Sequence, residues 1–490
     1  MKEYKDLAGQ TLVYGLGTIV PRLLNYLLLT PFYTRIFLQN EYGVIIELYS
    51  YVAFLMVLLT YGMETTYFRF SSGNENKNVV YNNALGSLLL SSLLFIIIIG
   101  FFQNNIASLI GYVHQPKYIL WFSFIVTFDA ITAVSFAKLR NENKAYKFAF
   151  IKIGNILINI GFNIFFFLIC KNSTNEILSS FYKPEIGVGY AFLSNLFASL
   201  FNVVALYKEF FSLRFKFNVR LLKEMFSYAW PLLIIGIAGM FNEVADKILL
   251  KYLSADNLDS MKEVGVYGAN YKLAILMSIF IQMFKYAAEP FFFKKSADSD
   301  AKKVYGNVMN YFIIFCLFIF LLVTLYIDIF KYFIGEKFRD GLFIVPIILF
   351  ANMFLGIFYN LSVWYKINNR TLSGAIIAII GVFITVVLNF IFIPRIGYLG
   401  SAWATFFCYL VMVLISYFWG RQVYKINYPL KKILIYNVLA IFLFFIYKYI
   451  GIFGSTINFI ISTVLLLIYI LAIVIIEKIN FNTIKNIIKA

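Results

Sequence analysis

The sequence predicts an all-α polytopic membrane protein with about fourteen transmembrane helices, arranged as two pseudo-symmetric six-helix bundles followed by an extra C-terminal pair. Three observations predict it. Apolar residues make up 61% of the 490-residue chain and charged residues only 13%, with a mean hydropathy of +0.81; a soluble domain carries about 45–50% and 25%. Apolar runs long enough to span a bilayer recur along nearly the whole chain. Short motifs also recur at a near-constant spacing, which points to a duplicated architecture.

The runs lie at about 11–34, 42–62, 79–102, 118–137, 148–170, 187–207, 226–250, 264–288, 307–330, 342–365, 374–394, 398–420, 433–450 and 455–477. Pro394-Arg395-Ile396-Gly397 reads as a tight turn separating the eleventh from the twelfth. The first run is too long for the apolar core of a signal peptide, so its helix is expected in the mature protein. With the N-terminus inside, roughly 26 of the 42 lysines and arginines fall in inward loops and roughly 12 in outward ones. That bias appears in nearly every loop pair and favours an even helix count with both termini cytoplasmic (N-in/C-in).

The repeat begins with Thr30 to Val44, which joins the first two runs and ends in Glu41-Tyr42-Gly43-Val44. Glu263-Val264-Gly265-Val266 restates that ending at the start of the eighth run. The helix after each opening ends in a glutamate followed by aromatics: Glu64 before Tyr67-Phe68, and Glu289 before Phe291-Phe292, at nearly the same offset. Asn163 and Asn389 keep that offset in similar settings, each followed by a glycine-containing turn into the next run. The implied organisation is residues 1–215 as an N-terminal bundle, 216–425 as a second, and 426–490 as the extra pair.

Several function classes are excluded or disfavoured. No Gly-x-x-x-x-Gly-Lys-Ser/Thr loop is present, so ATP hydrolysis is not expected. His114 is the only histidine, and Cys170, Cys316 and Cys408 have no metal-ligand spacing, so no metal or other cofactor is expected. No loop exceeds about twenty residues, which leaves no room for a soluble catalytic domain; the chain does not read as an enzyme. The net charge of +18 is assigned to cytoplasmic loops and anionic lipid rather than to nucleic acid.

Ionisable side chains within the spans are the candidate functional residues, because each is costly there. Arg22 follows Pro21 well inside the first run; its guanidinium suits a diphosphate, and the alternative is a structural pair with Glu47 or Asp129. Lys272, Lys152 and Lys285 complete the candidate anion-binding set. Lys272 is the deepest, while Lys152 and Lys285 are close enough to the cytoplasmic end to snorkel. Asp129 is a candidate for proton coupling or a partner for Arg22. Glu243, Asp246 and Lys247 are spaced to share one helix face, as a coupling or gating site or as a self-neutralised structural cluster. Glu47, one turn into the second run, is less telling. Glu64 and Glu289 share a capping or pairing duty, and Asn155, Asn159, Asn163 and Asn389 read as interhelical hydrogen-bonders.

The Pro31…Thr34-Arg35-Ile36-Phe37…Glu41-Tyr42-Gly43-Val44 hairpin and the Leu388-Asn389-Phe390-Ile391-Phe392-Ile393-Pro394…Gly397-Tyr398-Leu399-Gly400-Ser401 turn resemble the polysaccharide flippases. These are the Wzx-like, polysaccharide-transporter branch of the multidrug/oligosaccharidyl-lipid/polysaccharide exporter superfamily. The resemblance extends to about residue 425. It implies two bundles around a cationic cavity, alternating access, and export of undecaprenyl-diphosphate-linked sugar units for O-antigen, capsule or exopolysaccharide at a bacterial inner membrane. Implied partners are the lipid-linked oligosaccharide, membrane lipids, a proton or sodium ion, and a polysaccharide polymerase. Rival readings are a peptidoglycan-precursor lipid flippase, a multidrug/cation antiporter of the same superfamily, and a membrane-embedded O-antigen polymerase or ligase. The antiporter predicts an anionic cavity, and the polymerase a long acidic or arginine-rich outer loop.

Overall fold

A computed structural model describes residues 15, 17–72, 77–211, 217–255, 260–296, 298–368, 370–450 and 455–478. The expected cytoplasmic Lys2, Lys5, Lys485 and Lys489 lie outside them. The described residues are all-helical, and they divide into two compact units. Unit 1 comprises Met1–Tyr252 with Asp256–Gly265, and unit 2 comprises Leu253–Ala255 with Val266–Ala490. Unit 1 also holds nearly all of the helix that follows residue 216.

In unit 1 a helical stretch over 17–24 widens into a π-turn, Asn25–Leu29, and continues as α1 (Thr30–Ile36). Then come α2 (Gln39–Thr60), α3 (Met63–Ser72), α4 (Lys77–Leu109), α5 (Lys117–Asn141), α6 (Ala145–Ile164), α7 (Glu176–Ser179), α8 (Gly189–Ala205), α9 (Tyr207–Phe211) and α10 (Val219–Leu253). Left-handed Tyr61 and Gly62 (φ 34 and 69) stop α2 and turn the chain into α3. Unit 1 also holds the first turns of α11 (Ser260–Leu273). Unit 2 holds the rest of α11, then α12 (Ile275–Lys295), α13 (Ala301–Leu325), α14 (Ile327–Phe330), α15 (Val345–Leu361), α16 (Val363–Ile367), α17 (Thr371–Val423), α18 (Leu430–Ile450) and α19 (Ser455–Ile476).

Nine helices among the described residues are long and apolar enough to cross a bilayer, or eleven if each of two bent pairs is one span. That is fewer than the fourteen expected. One reason is α17, whose 53 residues take in two expected spans. The predicted turn is present within it: Ile396 and Gly397 are non-helical, and Gly397 has φ 54, which a glycine tolerates.

The repeated asparagines behave alike. Asn163 and Asn389 are both fully buried, and each donates to the carbonyl four residues earlier, Asn159 at 2.8 Å and Thr385 at 2.7 Å. Each also accepts from a hydroxyl, Tyr33 at 2.8 Å and Ser401 at 3.3 Å. In an apolar span this satisfies both ends of the amide, the role expected of them. Asn155 likewise donates to the Ala198 carbonyl at 2.7 Å, joining α6 to α8.

The two motif glycines meet within unit 1. A Cβ on Gly43 would run into the Met261 carbonyl, and one on Gly265 into the Gln39 carbonyl, with Gly43 N at 3.0 Å. The obstacles are backbone, which cannot rotate aside. Gly265→Ala should therefore destabilise the protein by about 1–3 kcal/mol, the usual cost of overpacking, read as a lowered Tm of the full chain in detergent. An unchanged Tm would mean that α2 and α11 do not pack this closely.

Candidate functional site

Three candidate charges converge in unit 1. Gly17 lies against α6, where an added Cβ would stand 2.9 Å from Ala149 Cβ. Arg22 follows a little over one turn later, and Lys152 comes just under one turn after Ala149. Lys152 lies electrostatically within reach first of Asp129 on α5 and also of Glu64, Arg140 and Arg22. Its ammonium sits 3.9 Å over the Phe136 ring. Ser199 on α8 donates to the Asp129 carboxylate. Lys152 and Asp129 are half-buried and Arg22 is exposed on its helix. The arrangement is an acid between hydroxyl and ammonium groups, with a guanidinium nearby, on spans that are otherwise apolar. Guanidinium and ammonium groups pair with anions, and a carboxylate takes up a proton or a cation.

The seventh-run cluster divides. Asp246 is buried and pairs with Lys247 at 3.0 Å, while the Lys247 ammonium also donates to the main-chain carbonyl of Glu243 at 2.9 Å. The Glu243 side chain is exposed, so the three do not share one buried face. In unit 2, Lys272 is half-buried in the last turn of α11, just before the chain bends by 56° into α12. Lys285, on α12, places its ammonium 4.4 Å over the Tyr359 ring.

Glu64 and Glu289 form equivalent ion pairs. Glu64 binds Arg140, at the end of α5, and Glu289 binds Lys366, in α16, at 2.7 Å. The two bases are offset along the chain almost exactly as the two acids are, so the repeat extends to both partners. All four side chains are partly exposed.

One cluster was underrated from the sequence. Glu47 is completely buried and accepts from Lys251 of α10 at 2.9 and 3.1 Å. Tyr112, in the turn after α4, donates to the same carboxylate, and Lys251 also donates to the Ile110 carbonyl. Burial, followed by the Glu47 charge, pushes the Tyr112 phenol above its ordinary value, so it remains a donor. Glu47 and Lys251 are 204 residues apart, so no local spacing joins them; an acid about one turn inside one run and a base just past the end of another were the available signal.

Residues 7–296 match the polysaccharide biosynthesis protein family, more than half of the chain. The chain belongs to that family. No curated protein matches the chain. Among solved structures, the fold is similar to a lipid II flippase MurJ in an inward closed conformation, with 17% identity over 94% of this chain and 99% of that one and a TM-score of 0.72. It is also similar to multidrug resistance MATE family transporters of the MOP superfamily. The inward-facing one has 13% identity over 84% of this chain and 94% of that one, with a TM-score of 0.54. The outward-facing one has 14% identity over 85% and 95%, with a TM-score of 0.57.

Removing one partner of the Glu47 cluster tests its weight. Lys251→Met should strand a buried carboxylate and cost about 3–5 kcal/mol. Pairing it with Glu47→Gln should recover part of the loss, because no uncompensated charge remains. Thermal unfolding of the two variants in detergent checks this. A double variant no more stable than Lys251→Met would remove charge burial as the cause.

Proposed function

We propose that this protein is a flippase that moves undecaprenyl-diphosphate-linked oligosaccharides across a bacterial cytoplasmic membrane by alternating access, supplying O-antigen, capsule or exopolysaccharide synthesis. The observation carrying the reading is the Arg22–Lys152–Asp129 neighbourhood within the spans of a polysaccharide biosynthesis family member. Two bases beside one acid suit a diphosphate better than a cationic drug. Arg22, Lys152, Lys272 and Lys285 are assigned to the substrate, and Asp129, Glu243, Asp246 and Lys247 to coupling or gating by a proton or sodium ion.

The topology that accompanies this reading has fourteen helices with both termini cytoplasmic. It counts the bent pairs, the two arms of α17, α10 and the first run as spans beside the rest. The two six-helix halves would rock while the lipid tail stays in the bilayer, and the last pair of helices is an addition. A polymerase acting on the delivered units is the expected partner.

A second reading, a flippase for the peptidoglycan precursor lipid, is favoured by the likeness to the lipid II flippase fold. The lipid-linked glycans of a deletion strain separate the two. A complete sugar repeat retained on the cytoplasmic leaflet of viable cells supports the first reading; lethality with retained peptidoglycan precursor supports the second.

Arg22→Ala should reduce export of the lipid-linked unit to background while the protein remains at wild-type level in the membrane. Outer-leaflet glycan and membrane-fraction immunoblots measure both. Full export by this variant would remove Arg22 from the substrate site.

A further inference from the structure

The extra helix pair is fastened along α13, and at its far end the seam opens. At the inner end, Glu477 accepts from Asn310 of α13 at 2.8 Å, from Lys432 of α18 at 2.9 Å and from Tyr436. Midway, the Tyr469 hydroxyl of α19 donates to the Ile314 carbonyl at 2.9 Å. Further along, Ser462 donates to the Leu325 carbonyl at 2.6 Å, and the Tyr326 and Thr463 hydroxyls lie 2.8 Å apart. At this last level the wall gives way to a cavity of about 320 Å³. That falls within the range for small-ligand sites, about 300–1,000 Å³. Protein interiors are close-packed, and voids that stay empty are apolar. This one is lined by Asp328, Lys331, Tyr447, Asn458 and Ser462, so it suits a polar occupant.

The lining holds one carboxylate and one ammonium. Lys331 donates to Asp328 at 2.6 Å, and the same carboxylate accepts from Tyr447 at 3.2 Å and from Asn458. An ammonium has three donors and a carboxylate about four acceptor positions. Both side chains are partly exposed (29% and 43%), so each can also serve a ligand. A ligand of single charge would face one like charge here, whereas a zwitterion meets an opposite charge at each end. Position sets the depth. Asp328 and Lys331 straddle the end of the ninth run, Tyr447 lies near the end of the thirteenth, and Asn458 near the start of the fourteenth. That is headgroup level, where tyrosines concentrate. Ile329 and Phe459 line the same cavity and are exposed, as an acyl chain leaving it requires.

We infer that this cavity in unit 2 binds the headgroup of a zwitterionic phospholipid with a primary ammonium, of the phosphatidylethanolamine type, in the leaflet that the charge bias assigns to the outer face. The lipid ammonium donates to Asp328 and the lipid phosphate accepts from Lys331. Bound there, it closes the seam between α14 and the extra pair where side chains leave it open. The ligand is a constituent of the bilayer and not the transported molecule, so the inference stands apart from the flippase reading.

The test uses the full chain in detergent, stripped of native lipid, and measures equilibrium binding of dihexanoyl phosphatidylethanolamine, phosphatidylcholine and phosphatidylglycerol, with free phosphoethanolamine as a fourth probe. The ethanolamine lipid should bind. The choline lipid, whose quaternary ammonium has no N–H for Asp328, and the glycerol lipid, which has no ammonium, should each bind at least about tenfold more weakly. Asp328→Asn should erase the preference for ethanolamine over choline. Lys331→Gln should weaken both lipids about tenfold and leave that preference in place. A fold merely loosened by either substitution would not separate the two effects in this way. No binding of the ethanolamine lipid by the wild type, equal binding of the three lipids, or an unchanged preference in Asp328→Asn overturns the inference. Phosphoethanolamine binding as tightly as the lipid would make this a site for a free zwitterion and overturns the lipid assignment.

Discussion

Charge inside an apolar span governs how this molecule is built. An ionised group there has lost its water and must find another charge, a hydroxyl, a carbonyl or an aromatic face within its own fold. Glu47 is the clearest case: completely buried, it is met by Lys251 and by the Tyr112 hydroxyl. Because these partners come from α10 and from the turn after α4, neutralising one carboxylate also ties three distant stretches of unit 1 together. Asp246 with Lys247, and Asp129 with Ser199 and Lys152, meet the same demand.

Duplication provides a second organising constraint. The buried asparagines Asn163 and Asn389 repeat a donor–acceptor arrangement, and Glu64–Arg140 and Glu289–Lys366 repeat an ion pair. Features kept in both copies are accounted for by the helix geometry common to them. Features present in one copy are freer to specialise: Asp129 and Lys152 in unit 1, Lys285 in unit 2.

Much of the fold was legible because a bilayer imposes length and hydropathy on every span. The turn at Ile396–Gly397 was readable from Pro394 and Gly397, and a pairing duty for Glu64 and Glu289 from their repetition. The site was less legible. Glu243, Asp246 and Lys247 have a shared-face spacing, yet Lys247 pairs with Asp246 and the Glu243 side chain is exposed. Glu47 looked unremarkable, since its partner is 204 residues away.

The sequence by itself determined the all-helical membrane class, the positions of most spans, the repeat and the family, because these follow from periodicity, apolar length and motif order. Only the tertiary structure decided which charges meet. Arg140 for Glu64, Lys366 for Glu289, Lys251 for Glu47, and the cavity beside Asp328 all depend on how helices pack side by side. Spacing along one helix identifies a face but leaves open which neighbour covers it, and in a span that neighbour determines whether a charge is paired, shielded or left for a ligand.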